Sequence, residues 1–108
     1  MFDRPRVPED CKDLECVERL VQEVLGIDKP LVIGDAGGKP AKALEKEIVI
    51  DTRFLDSFQT EVGGQAKLVS SYLVASVLYA VYGKEKALEK ARELWPNSPV
   101  TLILLTYF

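Results

Sequence analysis

The stretch from Gln65 to Tyr82 is apolar almost all the way round. It carries Leu68, Val69, Tyr72, Leu73, Val74, Ala75, Val77, Leu78, Tyr79, Ala80, Val81 and Tyr82, interrupted by serines. A helix without a polar face must be covered on most of its sides. It is also too short to cross a bilayer: about 15 residues at 1.5 Å each span ~22 Å, against a ~30 Å hydrocarbon core. The chain has 108 residues, enough for one core but not two. Every other element therefore has to pack against this helix. We expect a single domain over residues 1–108 of the α+β class: a small antiparallel sheet with three or four helices around the central helix 65–82.

The remaining elements follow from period and punctuation. Residues 1–7 read as an extended arm. From Pro8 to Leu25, the positions Leu14, Val17, Leu20, Val21, Val24 and Leu25 form one helical stripe, with Gly26 placed to end it. Pro30-Leu31-Val32-Ile33 reads as a short strand that runs into the turn Gly34-Asp35-Ala36-Gly37-Gly38-Lys39-Pro40. Glu47-Ile48-Val49-Ile50-Asp51 is β-branched and extended. Residues 41–46 favour a helix by propensity, yet Leu44, Ile48 and Ile50 share a strand face, so an antiparallel ribbon is preferred. Phe54, Leu55, Phe58 and Val62 give a short helix closed by Gly63-Gly64. Ala87, Leu88, Ala91, Leu94 and Trp95 give another, stopped by Pro96. Val100 to Phe108 is apolar without alternation and reads as a strand buried on both faces or paired with another chain.

Composition narrows function mainly by exclusion. There is no histidine, which removes the Ser-His-Asp triad, the Cys-His pair and the His-ligated zinc site. A net charge of −3 and a pI near 5.0 disfavour nucleic acid and anionic membrane as partners. No leader-like apolar run follows Met1, so a cytoplasmic location is expected. Few Asn, Gln and Met beside many Lys and Glu lean toward a thermophile. Cys11 and Cys16 would lie about 140° apart on one helix and could bond only if Cys11 precedes it; buried free thiols are the preferred reading.

The motifs are weak. The turn at Gly34–Pro40 departs from the P-loop, which needs four residues between its first Gly and Gly-Lys and then Ser or Thr. Here the gap is three and Pro40 follows Lys39, so it reads as a flexible turn. Asp35, Asp51 and Asp56 could hold a hard cation; the simpler reading has Asp51 capping the next helix and Asp35 shaping the turn. Tyr72, Tyr79 and Tyr82 could serve acid-base chemistry but suit core packing better. No cofactor and no metal is implied.

The order of elements is similar to that of minimal zincin-type metallopeptidases, especially the ImmA/IrrE-like group. It runs helix, strand, Gly38-Lys39-Pro40-Ala41-Lys42, Ile48-Val49-Ile50-Asp51, the Phe54-Leu55 helix, the long apolar helix, and a last helix from Glu85 to Pro96. The resemblance covers roughly residues 8–96 and rests on pattern rather than on a specific motif. Where that family carries H-E-x-x-H, this chain reads Ser76-Val77-Leu78-Tyr79-Ala80, and only Glu85 could stand at the third-ligand position. Kinship would imply a degenerate zincin without metal, its cleft filled by apolar side chains; convergence on a small α+β layout gives the same order.

The leading functional expectation is a non-catalytic scaffold or protein-interaction domain that forms a homodimer or binds a protein partner. Leu102, Leu104, Tyr107 and Phe108 on the last segment would be its interface, exchanged between subunits as a strand. The alternative is a small-ligand-binding domain or an unrecognised enzyme using carboxylates and tyrosines near the Gly34–Lys39 turn.

Overall fold

In the computed structural model, which describes residues 7–108, the helix α3 (Ala66–Tyr82) runs through the centre. Its residues Ser70 to Leu78 are all buried. The short 3-10 turn at Pro8–Asp10, all four other helices and two of the three strands pack against it. The α+β class and the central place of this helix are as its all-round apolar surface demands. The expected arm over residues 1–7 lies outside the described residues except for Val7, which is extended.

Helix α1 (Leu14–Leu25) begins later than its apolar stripe suggests. Asp13 accepts the Cys16 N–H at 2.8 Å and caps it, and Gly26 ends it in the left-handed region at φ 69°. A continuous helix from Pro8 is therefore corrected to a 3-10 turn followed by α1. The break decides the cysteines. Cys11 sits in extended backbone ahead of the helix, with its Cα 5.4 Å from that of Cys16, and the two form a disulfide. The preference for free thiols is overturned because Cys11 is not on the helix that would have turned it away.

The sheet has the order β1-β3-β2, formed by Leu31–Gly34, Ile48–Asp51 and Ala41–Ala43 respectively. The pair β2–β3 is the antiparallel ribbon, with Ala41 opposite Ile50. The pair β1–β3 is parallel, with Leu31 opposite Ile48. The sheet is thus mixed, not wholly antiparallel. All four residues of β3 are buried, so it takes the centre, where its backbone is paired on both sides. Residues 35–47 are long enough for the parallel return, but they make it through an edge strand instead of a helix.

Helix α2 (Thr52–Val62) follows β3 directly and stops at Gly63. Helix α4 (Lys84–Leu94) buries Ala87 and Ala91, with Trp95 closing it. The final segment forms a helix, α5 (Val100–Tyr107), not a strand. Its inward residues Val100, Ile103 and Leu104 and the half-buried Tyr107 follow the spacing i, i+3, i+4, i+7, which only a helix turns to one side. The Ser98 hydroxyl accepts the Val100 N–H at 3.3 Å and helps start it. An eight-residue helix is marginal alone; packing on α3 and α4 holds it.

The disulfide fastens the 3-10 turn to α1. Denatured, unreduced protein should show no titratable thiol. Reduction, or Cys11→Ser with Cys16→Ser, should lower unfolding stability in urea by about 2 kcal/mol, the loop-entropy value for so short a loop.

Candidate functional site

The Gly34–Pro40 turn is organised by one buried carboxylate. Asp51, 1% exposed, ends β3 and caps α2, its Oδ1 accepting from the N–H groups of Arg53 at 2.9 Å and Phe54 at 3.4 Å. Its Oδ2 accepts the Ala36 N–H at 3.1 Å. The Ala36 bond pulls the Asp51 carboxyl below the usual carboxylate range against its burial, with help from the Arg53 and Phe54 N–H groups and the Arg53 charge. Asp35 Oδ1 accepts the Gly37 N–H at 2.8 Å, and the Lys39 N–H bonds to the Ala36 carbonyl. Three N–H groups of the turn are therefore spent internally, two of them on carboxylates. A phosphate cradle needs such groups free and aimed at the ligand; this turn lacks that arrangement as well as the spacing.

The acidic trio does not assemble a cation site. Asp51 and Asp35 are the cap and turn residues just described, Asp56 is exposed on α2, and among the described residues no group of three acidic or thiol side chains is placed to hold a metal.

The tyrosines belong to an aromatic ladder that joins α2, α3 and the C-terminus. Phe58 stacks on Tyr72 with ring centroids 4.4 Å apart and meets Tyr107 edge-on at 5.0 Å. Phe108 lies 5.3 Å from Tyr72 and 5.2 Å from Tyr79. Burial pushes the Tyr72 hydroxyl up to about 12, opposed by hydrogen bonding with Ser76 and reinforced by the Asp51 charge. Burial also raises Tyr107, with the charge and hydrogen bond of Glu61 adding to it. Both shifts favour the protonated phenol. Tyr82 carries the Lys90 ammonium 5.6 Å above its ring, a surface cation–π pair.

These rings change the expected interface. Leu104 is fully buried. Tyr107 and Phe108 are half-buried and cover Phe58, Tyr72 and Tyr79. Of the four residues expected to meet a partner, only Leu102 faces out, 66% exposed, and it is joined by Leu105 at 51%. The exchanged strand falls with the strand itself. In residues 76–80, Ser76, Val77 and Leu78 are buried, while Tyr79 and Ala80 are partly so.

Two groupings had no signal in the sequence. Glu9 lies within hydrogen-bond reach of two hydroxyls: Ser71 stands 3.1 Å from its Oε1, and Ser98 donates to the same oxygen, so one carboxylate ties the 3-10 turn to α3 and to the loop before α5. Lys39, Lys42 and Lys84 line one concavity of about 490 Å³ with Tyr79 and Gly83. Each was separately a turn, strand or helix-surface lysine, and only folding brings Lys84 beside the other two.

No family model, no curated protein and no solved structure matches the chain.

The Asp51 network sets a pH dependence. A depressed folded pKa means that its contribution is present above the ordinary value of 3.8 and is lost as pH falls through the lowered folded value. Asp51→Asn should therefore flatten the acid limb of a stability–pH profile. Asp51→Ala, which also removes the cap, should lower Tm by roughly 5–10 °C at neutral pH.

Proposed function

We propose that the chain is a non-catalytic interaction domain that self-associates through the outer face of α5. The observation that carries this reading is the pair Leu102 and Leu105, 66% and 51% exposed and one helical turn apart. The same helix buries its other side, and among the described residues nothing covers its outward leucines. A C2 dimer would lay two copies of this face together. Large exposed aliphatic side chains grouped on a rigid element suit an interface better than open water.

The absence of catalysis is part of the proposal. The carboxylate most central to the Gly34–Lys39 turn is consumed as a cap, and Tyr72 is sealed in the aromatic ladder. A degenerate zincin would have a filled cleft, and buried Ser76, Val77 and Leu78 agree with that idea. The alternative reading, a ligand or catalytic site made from carboxylates and tyrosines, has less to work with. Among the described residues no helix is long and apolar enough to cross a membrane. We place the domain in the cytoplasm of a thermophile, where an internal disulfide such as Cys11–Cys16 persists.

Light scattering should give twice 12.0 kDa at micromolar concentration. Leu102→Glu with Leu105→Glu should return the monomer mass without a large change in Tm, because neither side chain is core. A wild-type mass of one chain, or a dimer indifferent to both glutamates, would overturn the reading. Purified protein should bind no stoichiometric zinc and show no chelator-sensitive peptidase activity; either result would remove the non-catalytic part.

A further inference from the structure

We propose that the concavity between β2, the end of α3 and the start of α4 binds a small multivalent oxyanion, a phosphate ester or a polycarboxylate. This site is distinct from the α5 face. Lys39, Lys42, Tyr79, Gly83 and Lys84 stand around an open concavity of about 490 Å³, within the size range of small-molecule sites.

Charge is the first argument. The chain has more acidic than basic residues, Asp+Glu 17 against Lys+Arg 14, yet no carboxylate lines this cavity and three lysines do. Among the described residues none of the three is in an ion pair. An anion bound there would meet positive charge without having to displace a salt bridge.

The backbone supplies the second argument. Lys84 opens α4, where a cation opposes the positive end of the helix dipole. The N-cap Gly83, at φ 82° and ψ 166°, offers no side chain to the first-turn N–H groups. The first turn holds one carboxylate, Glu85, but no side chain caps its N–H groups, so a bound anion could accept from them and pair with Lys84. On the opposite wall, the Asp51 N–H bonds the Pro40 carbonyl and the Leu44 N–H bonds the Glu47 carbonyl. Antiparallel alternation then turns Pro40, Lys42 and Leu44 toward β3 and the N–H groups of Ala41 and Ala43 outward, along the open edge of β2.

Lysine on an edge strand also blunts edge-to-edge pairing. That role accounts for Lys42 on β2 but not for Lys84 on another element across the cavity. The net charge of −3 works against an extended polyanion more than against a small compact one.

The test is calorimetric titration of the full chain with inorganic pyrophosphate and, separately, citrate, at constant ionic strength. One saturable site with Kd below about 1 mM is expected for at least one probe. Lys42→Gln with Lys84→Gln should weaken it about tenfold or more, the scale of losing charge-assisted hydrogen bonds. The control pair Lys12→Gln with Lys67→Gln, outside the cavity, should leave it unchanged. Tighter pyrophosphate assigns phosphorylated ligands, and tighter citrate assigns polycarboxylates. No saturable binding of either probe, binding that survives the Lys42/Lys84 change, or equal loss in the control pair would overturn the site. All four lysines are exposed, so the variants should fold, and an unchanged far-UV spectrum checks this.

Discussion

A helix that is apolar on every side has to be hidden, and a chain of 108 residues has little else with which to hide it. The architecture follows from that demand. Burying Ser70 to Leu78 of α3 without exception takes the sheet on one flank and helices on the others. The three serines within this stretch are admitted at little cost because each hydroxyl finds an acceptor: Ser70 reaches the Lys67 carbonyl, Ser76 that of Tyr72, and Ser71 shares its one proton between the Lys67 carbonyl and the Glu9 carboxylate. A buried hydroxyl left without such a partner would be costly.

The coverings are locked by interactions between distant parts of the chain. Glu9 joins the start of the chain to α3 and to the loop before α5 through Ser71 and Ser98. Asp51 joins β3, the Gly-rich turn and α2. The Phe58–Tyr72–Phe108 ladder joins α2, α3 and the C-terminus. Each is a small set of side chains whose satisfaction depends on the whole fold being in place, which favours cooperative unfolding. Two side chains suited to chemistry are thereby occupied: Asp51 is a cap, and Tyr72 is a ring in a stack.

The open chemical features lie where covering elements leave something over. Helix α5 must bury one face to cover α3, and its apolar sequence leaves Leu102 and Leu105 outside. The junction of α3 and α4 is a glycine in a conformation that side chains rarely adopt, and it places the uncapped start of α4 next to an edge strand. Both features arise from covering a large apolar helix with short pieces, and both sit away from the core that the short pieces protect.

Much of this was legible in the sequence because it is local. Helical periodicity located α1, α2, α3 and α4; Gly26 and Gly63 marked ends that need a left-handed residue; and Asp51 stood where a cap belongs. The missing histidines excluded whole chemistries before any fold was known. Long-range packing decided the rest. Whether Cys11 meets Cys16 depends on where α1 starts, and Asp13 sets that start. The parallel pairing of β1 with β3 is decided by burial on both faces of β3, a relation between segments, not a property of either. Residues 100–108 are apolar without an alternating pattern, so a strand and a helix bury them about equally well in isolation. Only the surfaces of α3 and α4 choose the helix, turning Leu104 in and Leu102 out. The three lysines of the concavity come together for the same reason: proximity across a fold is a property of the packed molecule, and no local spacing encodes it.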